Sequence, residues 1–164
     1  MIDIVEHMPT LQKYAGMSDR VIEFGVRDGS GSTQAFLNGK PGELISYDIS
    51  ACPQGLSQRA VAAGVPFEFH QTDVLTAEVR DCDLLFIDTK HTYEQLKAEL
   101  AMHGDKAKKW LIFHDTVTFG AKGEDGTTPG LMQAIDEFLE ENHHWIVKEV
   151  FNNNNGLLVL ERKG

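Results

Sequence analysis

The chain reads as a doubly wound α/β protein: a mostly parallel sheet with helices on both faces, ending in a C-terminal antiparallel hairpin. Three observations predict this. Short apolar runs (VIEF, ELISY, DLLFI, WLIF) recur between stretches of helical spacing, the pattern of parallel strands buried on both faces. The first run breaks into Gly25, Gly29 and Gly31, and glycines at a strand-to-helix turn let the backbone pass close to a ligand and adopt positive φ. The C-terminal part has two apolar runs joined by a turn ending Asn155-Gly156, a strong hairpin signal, where another strand and helix would otherwise stand.

Taken in order, residues 2–16 carry Ile4, Val5, Met8, Leu11 and Tyr14 at helix-like intervals, interrupted by Pro9, and predict one short helix covering an edge of the sheet. Arg20 to Val26 is the first central strand. Ser32 or Thr33 can cap the helix that follows, predicted over 34–37, whose N-terminus offers free N–H groups to an anionic ligand group. Glu23, inside the strand, would repel a pyrophosphate but receive a cation, so a ligand with both an ammonium and a carboxylate fits. Glu23 also suits a pairing with Arg27 or a bond to nearby backbone. The second strand, 43–47, closes on Asp48, at the spacing of an acidic partner for ribose hydroxyls in nucleotide-binding α/β folds.

A helix over 58–63 and a third strand over 66–70 follow. Thr72-Asp73 then suits either an adenine edge or the cap of a helix predicted over 74–79. The fourth strand, 83–87, stops on Asp88 with His91 close behind, and 93–103 has helical spacing. The fifth, 110–113, stops on His114-Asp115. Ligands of open parallel sheets sit outside the carboxyl ends of the strands, where these four side chains converge. Asp88 and Asp115 fit either a metal or substrate site or plain caps of the segments that follow.

The glycine-rich stretch 116–130 predicts a binding loop or lid, 131–142 an amphipathic helix, and 145–151 with 157–161 the hairpin. Tyr93, Phe119 and Trp110 suit a pocket wall or simple packing, packing above all for Trp110. His70, His143 and His144 read as structural or surface residues, and Lys106 to Lys109 as a solvated helix end.

The 164 residues fit one domain, with 1–18 a helical N-terminal segment and 20–162 the core. Fifteen basic side chains stand against twenty-five acidic, a net charge of −10 that argues against nucleic acid or an anionic membrane as partner. Two cysteines, Cys52 and Cys82, make no disulfide framework and have no metal-site spacing. The opening MIDIVEHMPT has acidic residues and a proline where a secretory signal needs a basic end and an apolar core, so a cytoplasmic location is expected.

Read together, Glu23-Phe-Gly25 with Gly29 and Gly31-Ser32, the acidic Asp48, the segment LLFIDTKHTYEQLKAEL and the segment LIFHDT carry a resemblance over residues 20–161. The chain resembles class I S-adenosylmethionine-dependent methyltransferases, with their Rossmann-like, seven-stranded sheet. Within that class it is similar to the small metal-dependent O-methyltransferases of the catechol, cephalosporin-biosynthesis and macrolide-sugar type. The resemblance implies methyl transfer to a hydroxyl of a small molecule, a sugar or an aromatic diol. It also implies that Gly25, Gly29, Gly31 and Ser32 line the cofactor, with Glu23 near its ammonium, Asp48 on the ribose and Asp73 near the adenine. By the same resemblance Asp88 and Asp115 bind a divalent metal, Asp88 thereby serving catalysis, and His91 takes the position of a general base. His114 departs from the family pattern and joins the metal set. Mg²⁺ is the expected ion, with Mn²⁺, Zn²⁺ or Fe²⁺ favoured by an imidazole ligand. The residues leave the oligomeric state open, a homodimer included. Two other readings stand beside this one: a nucleotide-type binding domain without catalysis, and a nicotinamide-dependent dehydrogenase, though G-x-G-x-x-G is missing.

Overall fold

The computed structural model describes residues 3–164. Seven strands form one sheet: β1 (Arg20–Phe24), β2 (Glu43–Asp48), β3 (Phe67–Gln71), β4 (Cys82–Ile87), β5 (Ala107–His114), β6 (Trp145–Phe151) and β7 (Leu157–Arg162). Their spatial order is β3-β2-β1-β4-β5-β7-β6. The first five run parallel, while β7 pairs antiparallel with both β5 and β6. The mostly parallel, seven-stranded sheet with a terminal antiparallel hairpin is the one the sequence predicts.

The apolar runs become central strands because neighbouring residues are buried on opposite faces. In β4, Leu84 and Phe86 enter one core layer, Leu85 and Ile87 the other. The first layer lies under α1 (Met8–Ala15), α2 (Ser32–Gly39) and α3 (Leu56–Ala63), with Leu11, Phe36 and Leu56 against the sheet. The second lies under α4 (Tyr93–His103) and α5 (Leu131–Glu141), with Leu96, Leu100, Ile135 and Phe138 inward. Chain order reverses between β1, which leads to β2 on one side, and β4 on the other, which opens a crevice at the carboxyl ends of these strands.

Several expectations are corrected. The N-terminal helix covers a face of the sheet, not an edge: β6 and β7 are joined by a turn and bring no crossover helix, and α1 occupies the space. Tyr14 packs edge-on against Trp110 at 5.2 Å and its hydroxyl bonds Glu149. Pro9 falls within the first helical turn, where no N–H partner is lost, so it starts the helix and does not interrupt it. The helix expected over 74–79 is absent. Asp73 Oδ1 accepts from Leu75 N at 2.9 Å and its carbonyl from Thr76 N at 3.0 Å, closing a turn that competes with helix. Lys108 and Lys109 begin β5 and do not end a helix; they pair with Asp81 at 3.4 Å and Asp83 at 3.5 Å.

Candidate active site at the carboxyl ends of the strands

Chain geometry brings the glycine loop and the acidic strand ends together. After β1, Gly25 turns with φ +91, and a Cβ there would lie 2.0 Å from the Asp88 carbonyl oxygen, so only glycine fits. Gly25 N donates to Tyr47 O and Asp88 N to Phe24 O, both at 2.9 Å, which knits the ends of β2, β1 and β4. Asp48 holds the loop from β2: its Oδ2 accepts from Val26 N at 2.8 Å and Arg27 N at 3.2 Å. Arg27, itself left-handed at φ 57, pairs with Asp3 and not with Glu23.

A cavity of about 730 Å³ opens over this crevice. Gly25, Gly31, Ser32, Asp48, Asp73, Asp88 and His91 all line it, as do Ile4, Ile49, Val74, Thr89 and Gln95. Gly29 stands back, with φ +74, its carbonyl accepting from Arg59 at 3.0 Å.

Glu23 lies beneath the loop with no exposed surface at which to meet an ammonium. Its carboxylate accepts from the hydroxyls of Ser32 (2.5 Å), Thr33 (2.9 Å) and Ser46 (2.7 Å). Ser32 and Thr33, expected to cap α2, instead tie its first turn to β1. Burial is the largest influence on Glu23 and raises its pKa to about 7 against the three hydroxyl bonds.

Farther along the crevice the four residues at the ends of β4 and β5 meet. His91 Nε2 lies 2.9 Å from Asp88 Oδ1 and 2.9 Å from Asp115 Oδ2. His114 Nδ1 lies 3.4 Å from Asp88 Oδ2 and 3.3 Å from Asp115 Oδ2, and its side chain is fully buried. Asp115 reaches this point in a left-handed conformation, φ 61, uncommon for a residue with a Cβ.

The tautomer of His114 follows from its other nitrogen. Nε2 is 3.1 Å from the carbonyl of Asn154, an oxygen that can only accept, so Nε2 carries a hydrogen. In the neutral ring Nδ1 is then a bare lone pair facing two carboxylates, and it is a buried nitrogen without a hydrogen bond. Such a contact is repulsive unless a positive charge enters, either a proton on Nδ1 or a metal ion. Among the described residues, Asp88, His114 and Asp115 each offer an atom within 4.8 Å of the others. Burial disfavours charge on His91 and His114, but Asp115 and Asp88 outweigh it and raise both to about 10. Both aspartates are held below the usual carboxylate range by these imidazoles, against their own burial.

Three parts of this arrangement have no signal in the sequence. Glu124, from the loop after β5, holds His91 Nδ1 at 2.8 Å, on the ring that Phe119, already a pocket-wall candidate, stacks against at 4.9 Å. His7, buried, meets the Asn153 and Asn154 carbonyls at 2.9 and 3.2 Å and stands edge-on to His114. Glu99, in the middle of α4, is buried behind Thr89 and Gln95. A glutamate in a loop, a histidine before a helix and a glutamate in a helix of mixed charge are ordinary residues until the chain is folded.

No family model and no curated protein matches the sequence. Solved structures match the fold. The O-methyltransferase from Bacillus cereus, in complex with S-adenosylhomocysteine, has a TM-score of 0.72 over 96% of this chain and 81% of its own, at 15% identity. The N-methyltransferase NodS from Bradyrhizobium japonicum gives 0.67 over 97% and 94%, at 14% identity. The O-methyltransferase TomG from Streptomyces achromogenes, involved in tomaymycin synthesis and bound to S-adenosylmethionine, gives 0.67 over 97% and 80%, at 14% identity. The seven-stranded fold of this chain is thus that of S-adenosylmethionine-dependent methyltransferases.

Proposed function

We propose that the protein is an S-adenosylmethionine-dependent O-methyltransferase that methylates a hydroxyl of a small molecule, a sugar or an aromatic diol, with help from a divalent metal. The observation that carries the reading is one cavity lined together by the Gly25–Ser32 loop, Asp48, Asp88 and His91. A nicotinamide dehydrogenase shares the loop and the ribose acid, but the antiparallel β7 inside the sheet sets this chain with the methyltransferases.

In this reading Asp48, its Oδ2 fixed by two loop amides and its Oδ1 accepting from Ser50 N at 2.8 Å, keeps a lone pair on Oδ1 for a ribose hydroxyl, and Ile49 and Val74 offer apolar surface to a heterocycle whose edge Asp73 meets. Gly25 and Gly31 allow the amino-acid portion to approach the backbone, and Glu23 acts from below by fixing the first turn of α2. When bound, the cofactor supplies an electrophilic methyl on sulfonium and the metal a positive charge that acidifies a hydroxyl. The protein must hold the acceptor oxygen in line with that methyl and receive its proton.

Asp88, His114 and Asp115 are the residues that would hold the metal, and the buried Nδ1 of His114, set between two carboxylates without a hydrogen bond, is the observation that they fit one. An imidazole with two carboxylates accepts Mn²⁺, Fe²⁺ or Zn²⁺ at least as well as Mg²⁺. His91 lines the same cavity, but both its nitrogens are held by carboxylates and its pKa is raised to about 10, so it serves as a base only once Nε2 has left Asp88 and Asp115 and given up its proton.

The test is calorimetric titration with S-adenosylmethionine and S-adenosylhomocysteine, with and without Mg²⁺ or Mn²⁺, repeated on Asp48→Ala. Micromolar binding weakened at least about tenfold by the substitution is the expected result. No heat with either ligand, and a response to a nicotinamide dinucleotide, would overturn the reading.

A further inference from the structure

Behind the part of the cavity wall formed by Thr89 and Gln95 lies a carboxyl group with no part in the chemistry above. Glu99 has no exposed surface, and its Oε2 is buried without a hydrogen-bond partner. Its Oε1 accepts from the Thr89 hydroxyl and from Gln95 Nε2, the latter at 3.0 Å. An ionised carboxylate has only lone pairs to offer, so Oε1 is the acceptor of both bonds.

The consequence falls on the cavity side. Thr89 has one O–H, and with that hydrogen turned toward Glu99 its hydroxyl shows the cavity lone pairs alone. Gln95 has its amide nitrogen turned the same way, which leaves its carbonyl oxygen unengaged. A flip of the amide would set oxygen against oxygen in a buried place, a contact costing more than a missing bond. Asp73, a third acceptor, lines the same cavity.

We propose that Glu99 is a positioning residue that, through Thr89 and Gln95, turns this stretch of wall into a set of acceptors and so selects an amino group over a keto oxygen on the ligand's heterocycle. The inference rests on the S-adenosylmethionine reading, in which the donor concerned is the 6-amino group of adenine.

The experiment compares S-adenosylhomocysteine with its 6-oxo counterpart, S-inosylhomocysteine, by calorimetry on the native protein, Glu99→Gln and Gln95→Leu. The native protein is expected to bind the amino ligand roughly tenfold or more tightly than the oxo ligand. In Glu99→Gln the new amide can donate to Gln95 and let it turn, and the ratio falls to within about threefold of unity. Gln95→Leu, made on the half-buried wall outside the core, lowers the ratio likewise. Simple loosening of the fold weakens both ligands together and leaves their ratio alone. A native ratio near one, or a native ratio kept by both variants, overturns the inference while cofactor binding stands. No binding of S-adenosylhomocysteine to the native protein overturns the functional reading beneath it.

Discussion

Replacing Glu23 by glutamine removes a buried titration and should flatten the dependence of stability on pH. The carboxyl titrates near 4.5 in an unfolded chain and at about 7 in the fold, chiefly because burial disfavours its charge. The folded state thus binds the proton more tightly than the unfolded state, and the stability this contributes is fully present below pH 4.5 and lost as pH rises through about 7. The rise from 4.5 to about 7, at about 1.4 kcal/mol for each tenfold change in proton affinity, makes the total about 3 kcal/mol. Urea unfolding of the native protein and Glu23→Gln at pH 5 and pH 8.5 measures it. The native protein should lose roughly 2 to 3 kcal/mol more than the variant between these two conditions. The amide's own fit against Ser32, Thr33 and Ser46 is a constant offset that drops out of the comparison, and Glu99, which titrates in the same range, is present in both proteins. Parallel pH profiles for the two would refute the reasoning, since they would mean that Glu23 stays ionised throughout.

Gly25→Ala should lower stability by roughly 2 kcal/mol or more and abolish S-adenosylhomocysteine binding, because the added carbon meets the Asp88 carbonyl at 2.0 Å in a left-handed conformation; thermal unfolding and calorimetry check the two parts. His114→Ala and Asp115→Asn should each weaken Mn²⁺ or Zn²⁺ binding by at least about tenfold, while S-adenosylhomocysteine affinity measured without metal changes little; equal metal affinity in all three proteins would dissolve the proposed centre.

The fold was legible because its central strands are buried on both faces and so appear in the sequence as unbroken apolar runs. VIEF, ELISY, DLLFI and WLIF each became a strand of the parallel part of the sheet. The convergence of Asp88, His91, His114 and Asp115 was legible for a related reason: in a parallel sheet, residues that end successive strands end them on the same side. Glu23 was harder, since its oxygens are engaged by hydroxyls from α2 and β2, nine to twenty-three residues away, and spacing along one strand cannot show that. The segment 74–79 misled because Asp73 bonds the amide two residues on, a local contact that competes with the helix its neighbours suggest. Glu124 and His7 reach the site from a loop and from the N-terminal segment, where neither 3.6-residue nor two-residue periodicity applies.

The carbonyl of Asn154 takes hydrogen bonds from His114 and from His7 alike, so a main-chain oxygen is the keystone of the arrangement. No side-chain replacement at position 154 deletes that oxygen. What the site demands of the 152–156 turn is its length and its left-handed pair, Asn154 at φ 45 and Asn155 at φ 70. Glycine could serve at either position, whereas one residue inserted into the turn would carry the oxygen away from both rings. The hairpin, remote from the glycine loop in sequence, thereby sets by its length which nitrogen of His114 faces the aspartates.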